Sequence, residues 1–497
     1  MWMSVIVSTW YVTAAVDENA IKEISKVLIT SNVTDKNETT GPDINFIKRV
    51  VAQMELYKKK RIPNFARQSS QDENFDMEQY RNKVGPRSNL TAPPEAHKSL
   101  SAVAFEGDMI FHPDQFAKIL DDKQDDVVSS ERRQKRQSEM DPRTMWNQNQ
   151  SIAYYIDPSL YGSSDIVNKA FKFWGDNTCL RFVTNTTAFN RLRVYKGSGC
   201  WSYVGKQFTW ASQDISIGQG CENLGTICHE IAHALGLFHT QSRYDRDNYI
   251  RVNYNNIDPR LQYNFEKLTS APEMNFNIQY DYGSVMQYNP YAFALNYNIP
   301  TSIAKDLNYQ NIMGQRQQPA FSDVKQINLL YKCSARCTST SPTCQNNGIV
   351  NPNTCKTCIC PYTFDGDVCE KLKQGSAEVC NGQVITANST SYKQFNATVG
   401  YKMDYAYSDI TYDCYWHIKA PPGRRLQFQI KSLNTYCIEA CNWSGFEINT
   451  GNLDVAGMLL CCPSISTSIF TSIKNIITIR GMTRYNTANM VISYRIV

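Results

Sequence analysis

Three of the six histidines in this 497-residue chain fall in one short run, His229-Glu230-Ile231-Ala232-His233-Ala234-Leu235-Gly236-Leu237-Phe238-His239. On a helix, His229 and His233 stand one turn apart on the same face, so both imidazoles can reach one metal ion. Gly236 can leave the helical conformation at little steric cost, which lets the chain turn and present His239 as a third ligand. Three neutral imidazoles leave a fourth position on a zinc ion open for water, the pattern of a reactive centre and not of a structural one. Glu230, beside the first ligand, is placed to take a proton from that water. The chemistry this implies is metal-assisted hydrolysis. Histidines that merely satisfied a polar core would reproduce the spacing only by chance.

The helix that carries them has a second face, Leu224, Ile227, Ile231 and Leu235, which must pack on a core to hold the imidazoles rigid. Strands are expected at 152–156, 180–183, 192–195 and 214–217, with a helix capped by Ser164 carrying Ile166, Val167, Ala170, Phe171 and Trp174. A second motif, Tyr280-Asp281-Tyr282-Gly283-Ser284-Val285-Met286-Gln287-Tyr288, follows the histidines. The enzyme-like texture closes at Cys333. Upstream, residues 17–136 are polar and lack cysteine. Within them Ile47, Val50, Val51, Met54 and Tyr57 recur at helical spacing before Lys58-Lys59-Lys60-Arg61, which predicts an amphipathic helix with a basic end. The stretch 68–94 reads as extended or disordered linker. Arg132-Arg133-Gln134-Lys135-Arg136 contains the dibasic pattern cut by furin-type convertases, which places a propeptide cleavage between Arg136 and Gln137.

Length alone implies several domains. Apolar residues make up 42% and aromatics 12%, enough for packed cores, and a net charge of +5 spread along the chain gives no reason to expect nucleic acid as a partner. The 17 cysteines begin only at Cys179 and crowd into the C-terminal third. Such spacing suits disulfide-stapled modules in an oxidising compartment. Sequons at Asn32, Asn37, Asn89, Asn149, Asn185, Asn388, Asn396 and Asn442 are compatible with a secreted glycoprotein. Residues 1–16 are apolar and end in small residues, so they are expected to be a signal peptide, although a basic n-region is missing. No other run approaches a membrane span of about 20 apolar residues.

The stretch 137–333 resembles the astacins, a family of metzincin proteases. The resemblance rests on Thr178-Cys179-Leu180-Arg181-Phe182, on Gly199-Cys200-Trp201-Ser202-Tyr203-Val204-Gly205, on the histidine motif, which matches the long zincin signature, on Ser242-Arg243 with Asp245-Arg246-Asp247, and on Ser284-x-Met286-x-Tyr288. It implies an α+β protease domain with a zinc helix and a Met-turn. In it Met286 forms an apolar floor under the metal, and Tyr288 ligates resting zinc and then stabilises the tetrahedral intermediate. It gives Asp108, within Phe105-Glu106-Gly107-Asp108, the role of the latency switch that displaces the catalytic water, with 17–136 as propeptide. It also implies the disulfides Cys179–Cys333 and Cys200–Cys221. Cys337, Cys344, Cys355, Cys358, Cys360 and Cys369 look like an EGF-like module over 334–372, with pairings 337–355, 344–358 and 360–369 expected. Residues 380–497 resemble an all-β CUB sandwich whose first bridge is Cys380–Cys414; the pairing of Cys437 and Cys441 with Cys461 and Cys462 stays open, and Cys228 is left over. One departure stands out: the family places Glu directly after the third histidine to bond the freed mature terminus, and here that position is Thr240. The expectation is a secreted zymogen of a zinc endopeptidase, one Zn2+ per chain. It would cleave extracellular proteins such as matrix, cuticle or eggshell, with Glu230 as general base. The alternative is a catalytically minor binding or matrix protein acting through its EGF–CUB tail.

Overall fold

The structure, a computed structural model, describes residues 18–28, 41–65, 76–86, 103–121, 142–268, 275–338, 340–401, 408, 411–463 and 468–497. The expected signal peptide, the cleavage point at Arg136 and Gln137, and the sequons at Asn32, Asn37 and Asn89 lie outside these residues.

The N-terminal segment supplies helices α1 (Glu18–Leu28), α2 (Ile44–Phe65), α3 (Met77–Val84) and α4 (Pro113–Asp121), and strand β1 (Met109–Ile110). The residues that predicted α2 are those it buries: Ile47, Val50, Val51, Met54 and Tyr57. Helix α3 corrects the expectation of a linker across 68–94. It is a short helix in which Asp76 caps the first turn through Glu78 N and Gln79 N, and only Tyr80 and Val84 are buried. Two apolar contacts are too few for periodicity to reveal, and an isolated helix of this length is unstable in water, so tertiary packing holds it.

The catalytic part builds strands β2 (Ser151–Ile156), β3 (Arg181–Thr184), β4 (Arg191–Tyr195), β5 (Cys200–Tyr203) and β6 (Ser212–Ile217), and helices α5 (Ser164–Asn177) and α6 (Leu224–Ala234). With β1 the strands form one sheet in the order β1-β5-β6-β4-β2-β3. Strands β3, β2, β4 and β6 are parallel neighbours, and β5 runs antiparallel to β6 at the edge. The N-terminal segment covers that edge: Met109 and Ile110 pair parallel with Ser202 and Tyr203. Ser164 is the first residue of α5, not its cap; its hydroxyl donates back to Tyr161 O at 2.9 Å. Helices α5 and α6 pack together on the sheet, burying Val167, Ala170, Phe171 and Trp174 against Ile227, Ile231 and Leu235. Strands β7 (Ile250–Val252) and β8 (Ser302–Ala304) pair antiparallel as a separate two-stranded sheet, and α7 (Phe321–Leu330) closes this part.

Beyond it, β9 (Ile349–Val350) pairs with β10 (Cys358–Ile359) and β11 (Phe364–Asp365) with β12 (Lys371–Leu372) in a small piece stapled by Cys337–Cys355, Cys344–Cys358 and Cys360–Cys369. The C-terminal region is all β, made of β13 (Val379–Cys380), β14 (Val384–Thr386), β15 (Lys393–Gly400), β16 (Tyr412–Lys419), β17 (Leu426–Asn434), β18 (Ser444–Asn449), β19 (Met458–Leu460), β20 (Phe470–Thr471), β21 (Ile476–Thr483) and β22 (Thr487–Ile496). Two five-stranded sheets, β13-β15-β22-β17-β20 and β14-β16-β21-β18-β19, enclose a core centred on Trp416, Phe428, Phe446 and Ile479. Cys380–Cys414 is bonded, and the open pairings are Cys437–Cys462 and Cys441–Cys461.

Candidate metal centre and active site

Helix α6 begins at Asn223, whose side chain accepts from Thr226 N at 2.9 Å, and ends at Gly236, which takes φ +103° and donates to His233 O. A left-handed residue at this point satisfies a terminal carbonyl and swings the chain back. His239 thereby returns to the helix, and its ring centroid lies 4.8 Å from that of His233 and 5.3 Å from that of His229.

All three imidazoles are fixed through Nδ1. His229 Nδ1 meets Val285 O at 2.8 Å, His233 Nδ1 meets Leu237 O at 2.8 Å, and His239 Nδ1 meets the Glu106 carboxylate at 2.8 Å. A carbonyl or carboxylate partner makes Nδ1 the donor, which leaves each Nε2 lone pair free and aimed inward. The Nε2 atoms of His229 and His233 are 3.0 Å apart, and Asp108 Oδ2 stands 3.3 Å from His229 Nε2 and 3.2 Å from His239 Nε2. Asp108, His229, His233 and His239 offer four ligand atoms within 4.8 Å of one another. Lone pairs and a carboxylate crowded this closely need a cation between them, and three nitrogens with one oxygen suit zinc. Burial opposes a charge on His239, yet Asp108 and Glu106 outweigh it and raise its pKa to about 9. The site attracts positive charge.

The turn that delivers Asp108 is tight. Phe105 and Met109 exchange both backbone hydrogen bonds, at 2.7 and 3.1 Å. Gly107 has φ +87°, and a Cβ there would lie 2.8 Å from the Phe293 ring, so only glycine fits. Glu106, also at positive φ, is fully buried and accepts from Ser242 Oγ at 2.6 Å as well as from His239. Sequence reasoning assigned that glutamate no role. Nothing local marks it beyond an acid two residues before Asp108.

Glu230 is 1% exposed, and its Oε2 makes no hydrogen bond. Burial raises its carboxyl well above the ordinary range, Asp108 adds to this, and Arg316 opposes it. The Tyr288 hydroxyl donates to the Glu106 carbonyl, and its ring sits 4.7 Å from that of His239. Met286 lies in the core shared with Ile231 and Ala232, and its carbonyl accepts from Thr240 N at 3.0 Å. Thr240 Oγ1 donates to Ser284 Oγ at 3.0 Å, so the position that departs from the family pattern ties the third histidine to the Met286 turn. Cys179–Cys333 and Cys200–Cys221 are bonded; Cys228 is free and buried, its thiol pushed up by burial.

A cavity of about 370 Å³ opens on this centre, lined by His229, Glu230, Tyr288, Asn223, Phe293 and Arg316 among others. Arg316 is a second residue that sequence reasoning missed. Its Nη1 donates to Gln287 O at 3.2 Å and Gln315 O at 2.9 Å, which holds a guanidinium at the cleft wall.

A buried three-histidine metal centre with an adjacent glutamate, opening on a cleft, is the arrangement of a zinc-dependent peptidase. The model of the astacin peptidase family matches residues 138–332. Zinc metalloproteinase nas-28 of Caenorhabditis elegans is 40% identical over 419 residues, covering 83% of this chain and 83% of its own. Zinc metalloproteinase nas-31 of the same species is 37% identical over 407 residues, 80% of this chain and 64% of its own. Among solved structures, high choriolytic enzyme 1, a hatching-enzyme zinc protease of Oryzias latipes, is 33% identical, covers 39% of this chain and 93% of its own, and superposes at a TM-score of 0.34. The chain belongs to the astacin family and is a zinc metalloendopeptidase with protein substrates. Among the described residues no helix is long and apolar enough to cross a membrane.

Proposed function

We propose that this chain is the secreted zymogen of an extracellular endopeptidase, silenced by its own N-terminal segment. One observation carries this reading: Asp108 stands with the three histidine Nε2 atoms as a fourth ligand. A carboxylate there takes the position that a hydrolytic centre keeps for water. Residues 17–136 act as propeptide, a furin-type convertase cuts between Arg136 and Gln137, and 137–333 is the protease domain. Residues 334–372 form an EGF-like module and 380–497 a CUB domain. Eight disulfides support an oxidising compartment. The sequons at Asn149, Asn185, Asn388 and Asn396 are exposed, as glycan acceptors must be, and Asn442 is half-buried. The substrates proposed are proteins of matrix, cuticle or eggshell.

His229, His233 and His239 would hold zinc over an apolar floor at Met286, and the bound ion supplies an acidified water and a polarised carbonyl. Glu230 takes the proton as the water attacks and hands it to the leaving amine. In the latent chain the Tyr288 hydroxyl already donates to a peptide carbonyl, that of Glu106; once the segment leaves, it can donate to the oxyanion instead. One such donor is typically worth about 3–4 kcal/mol in the transition state. Arg316, at the cleft wall, offers its charge to an acidic substrate side chain. The test is Asp108→Ala in the uncut chain, assayed on a short peptide with and without a zinc chelator. Chelator-sensitive activity well above that of the uncut wild type is expected; equal, negligible activity in both would overturn the latency reading.

A further inference from the structure

Helix α3 touches more than the catalytic part. The Tyr80 hydroxyl donates to Glu439 Oε1 at 3.1 Å, and Glu439 belongs to the C-terminal sandwich. The Tyr291 hydroxyl, from the catalytic part, donates to the same oxygen at 2.5 Å. Asn311 Nδ2 donates to Val84 O at 3.3 Å while its Oδ1 accepts from Ala440 N at 2.9 Å. Pro86 O accepts from Glu439 N at 3.1 Å. Between them Gly85 has φ +99°, and a Cβ there would lie 2.9 Å from Cys462 Sγ and 3.2 Å from Cys437 Sγ. The backbone of the segment is therefore laid directly on the Cys437–Cys462 disulfide, at the one residue type that permits it.

The receiving corner is braced by its own covalent links. Cys437–Cys462 and Cys441–Cys461 close two loops on one spot, and Ala440 and Cys441 are held at φ +61° and +49°. A preorganised surface loses little entropy on binding. Residues 76–86 and 103–116 thus have separate anchors, one on the sandwich and one on the metal centre. Two linked contacts hold far more tightly than either alone, because the second forms at an effective concentration set by the linker.

We propose that this corner of the sandwich is a docking site for residues 76–86, which keeps the N-terminal segment, and with it Asp108, on the cleft after the chain has been cut between 121 and 142. The proposal rests on the zymogen reading above. Cutting alone does not then activate the enzyme; the segment must also be displaced from the sandwich or be cut again.

The test uses the full chain with Tyr80→Ala or Gly85→Ala. Both changes lie in the departing segment, so wild type and variants yield the same mature enzyme. After cutting with a furin-type convertase, size-exclusion chromatography follows the segment and a short peptide follows activity. In the uncut chain, hydrogen exchange reads the amides of 77–84. The wild-type segment should co-elute with the rest of the chain, with activity lagging behind cleavage. In the variants the segment should leave at least ~10-fold faster, the lag should shorten, and exchange at 77–84 should rise by a similar factor. Glu439→Gln, which keeps the acceptor oxygen, should retain the lag. Release from wild type as fast as from the variants, or unchanged exchange at 77–84, overturns the docking site. An uncut wild-type chain that is already fully active would overturn the zymogen reading instead, and exchange at 77–84 would still judge the docking site.

Discussion

Glu230 and Asp108 line the same cavity, and the proposed function gives them opposite tasks, one to move a proton and the other to occupy the metal. The difference is positional. Glu230 rides beside His229 on helix α6, whereas Asp108 sits at the tip of a turn in the N-terminal segment, which the proposed function has leave. Glu230→Gln keeps the size and the burial but removes the proposed base. The mature variant should retain zinc, measured by metal analysis, while kcat/KM falls by at least ~10²-fold; persistent cleavage would refute the assignment. Arg316→Leu should leave zinc in place and selectively slow peptides with an acidic residue beside the scissile bond, by roughly 10-fold against a neutral peptide, as loss of about 1.4 kcal/mol requires. An equal loss on both peptides would assign Arg316 to holding Gln287 and Gln315 alone. The three histidines were legible because a helix turn encodes their spacing in eleven adjacent residues. Arg316 and Glu106 were not, because their roles arise only where the chain returns from far away.

Elements were legible in proportion to the apolar surface each one buries. Helix α2 announced itself through five buried residues at helical spacing, while α3, with Tyr80 and Val84 alone, did not. The turn around Met286 is held from outside by α7. Asp323 accepts from Ser284 Oγ at 2.5 Å, Val285 N at 2.8 Å and Ala320 N at 2.7 Å, and Val285 O in turn holds His229. Burial raises the Asp323 pKa to about 7 despite these donors, with Asp281 adding to the shift; Cys228 and Arg316 also feel its charge. The unfolded chain releases this proton at about pH 3.9, so between about pH 4 and 7 the folded state holds a proton that the unfolded state has lost. Stability from this group is therefore fully present below about pH 4 and fades as pH rises through 7, by roughly 4 kcal/mol at most. Asp323→Asn should lack that component. Thermal unfolding of both proteins from pH 5 to 8 checks it: the difference in Tm, variant minus wild type, should grow with pH. A difference that does not change with pH would show that Asp323 is ionised throughout.

At the scale of the molecule, the sequence divides into successive modules, but the structure packs them as neighbours sharing interiors. One core cluster runs from Ile24 and Val50 of the N-terminal segment through Tyr203 and Tyr263 of the catalytic part to Leu459 and Met482 of the sandwich. Composition and cysteine spacing could suggest where modules begin but not how they meet, since a seam needs few residues from each. Its hub is Arg480 on β21, which donates to both Asp413 oxygens at 3.1 Å and to Gln317 Oε1 at 3.2 Å, and lies 3.9 Å from Glu447 and 5.5 Å from the Tyr362 ring centroid. Nearby, Ala456 N donates to Asp281 at 3.1 Å and Lys325 pairs with Asp454 at 2.9 Å. Arg480→Met would leave Asp413 and Glu447 without their cation in a largely buried setting, a loss of roughly 3–5 kcal/mol. None of these groups touches the histidines, so kcat/KM on a short peptide should stay at the wild-type value. Calorimetry should show the sandwich unfolding earlier, by roughly 10 °C, and separating from the catalytic transition. An unchanged calorimetric trace would mean that the seam adds nothing to stability. Lost peptide activity in a folded variant would mean instead that the sandwich shapes the active site through Asp281, which contacts Ala456 on one side and Gly283 of the Met286 turn on the other.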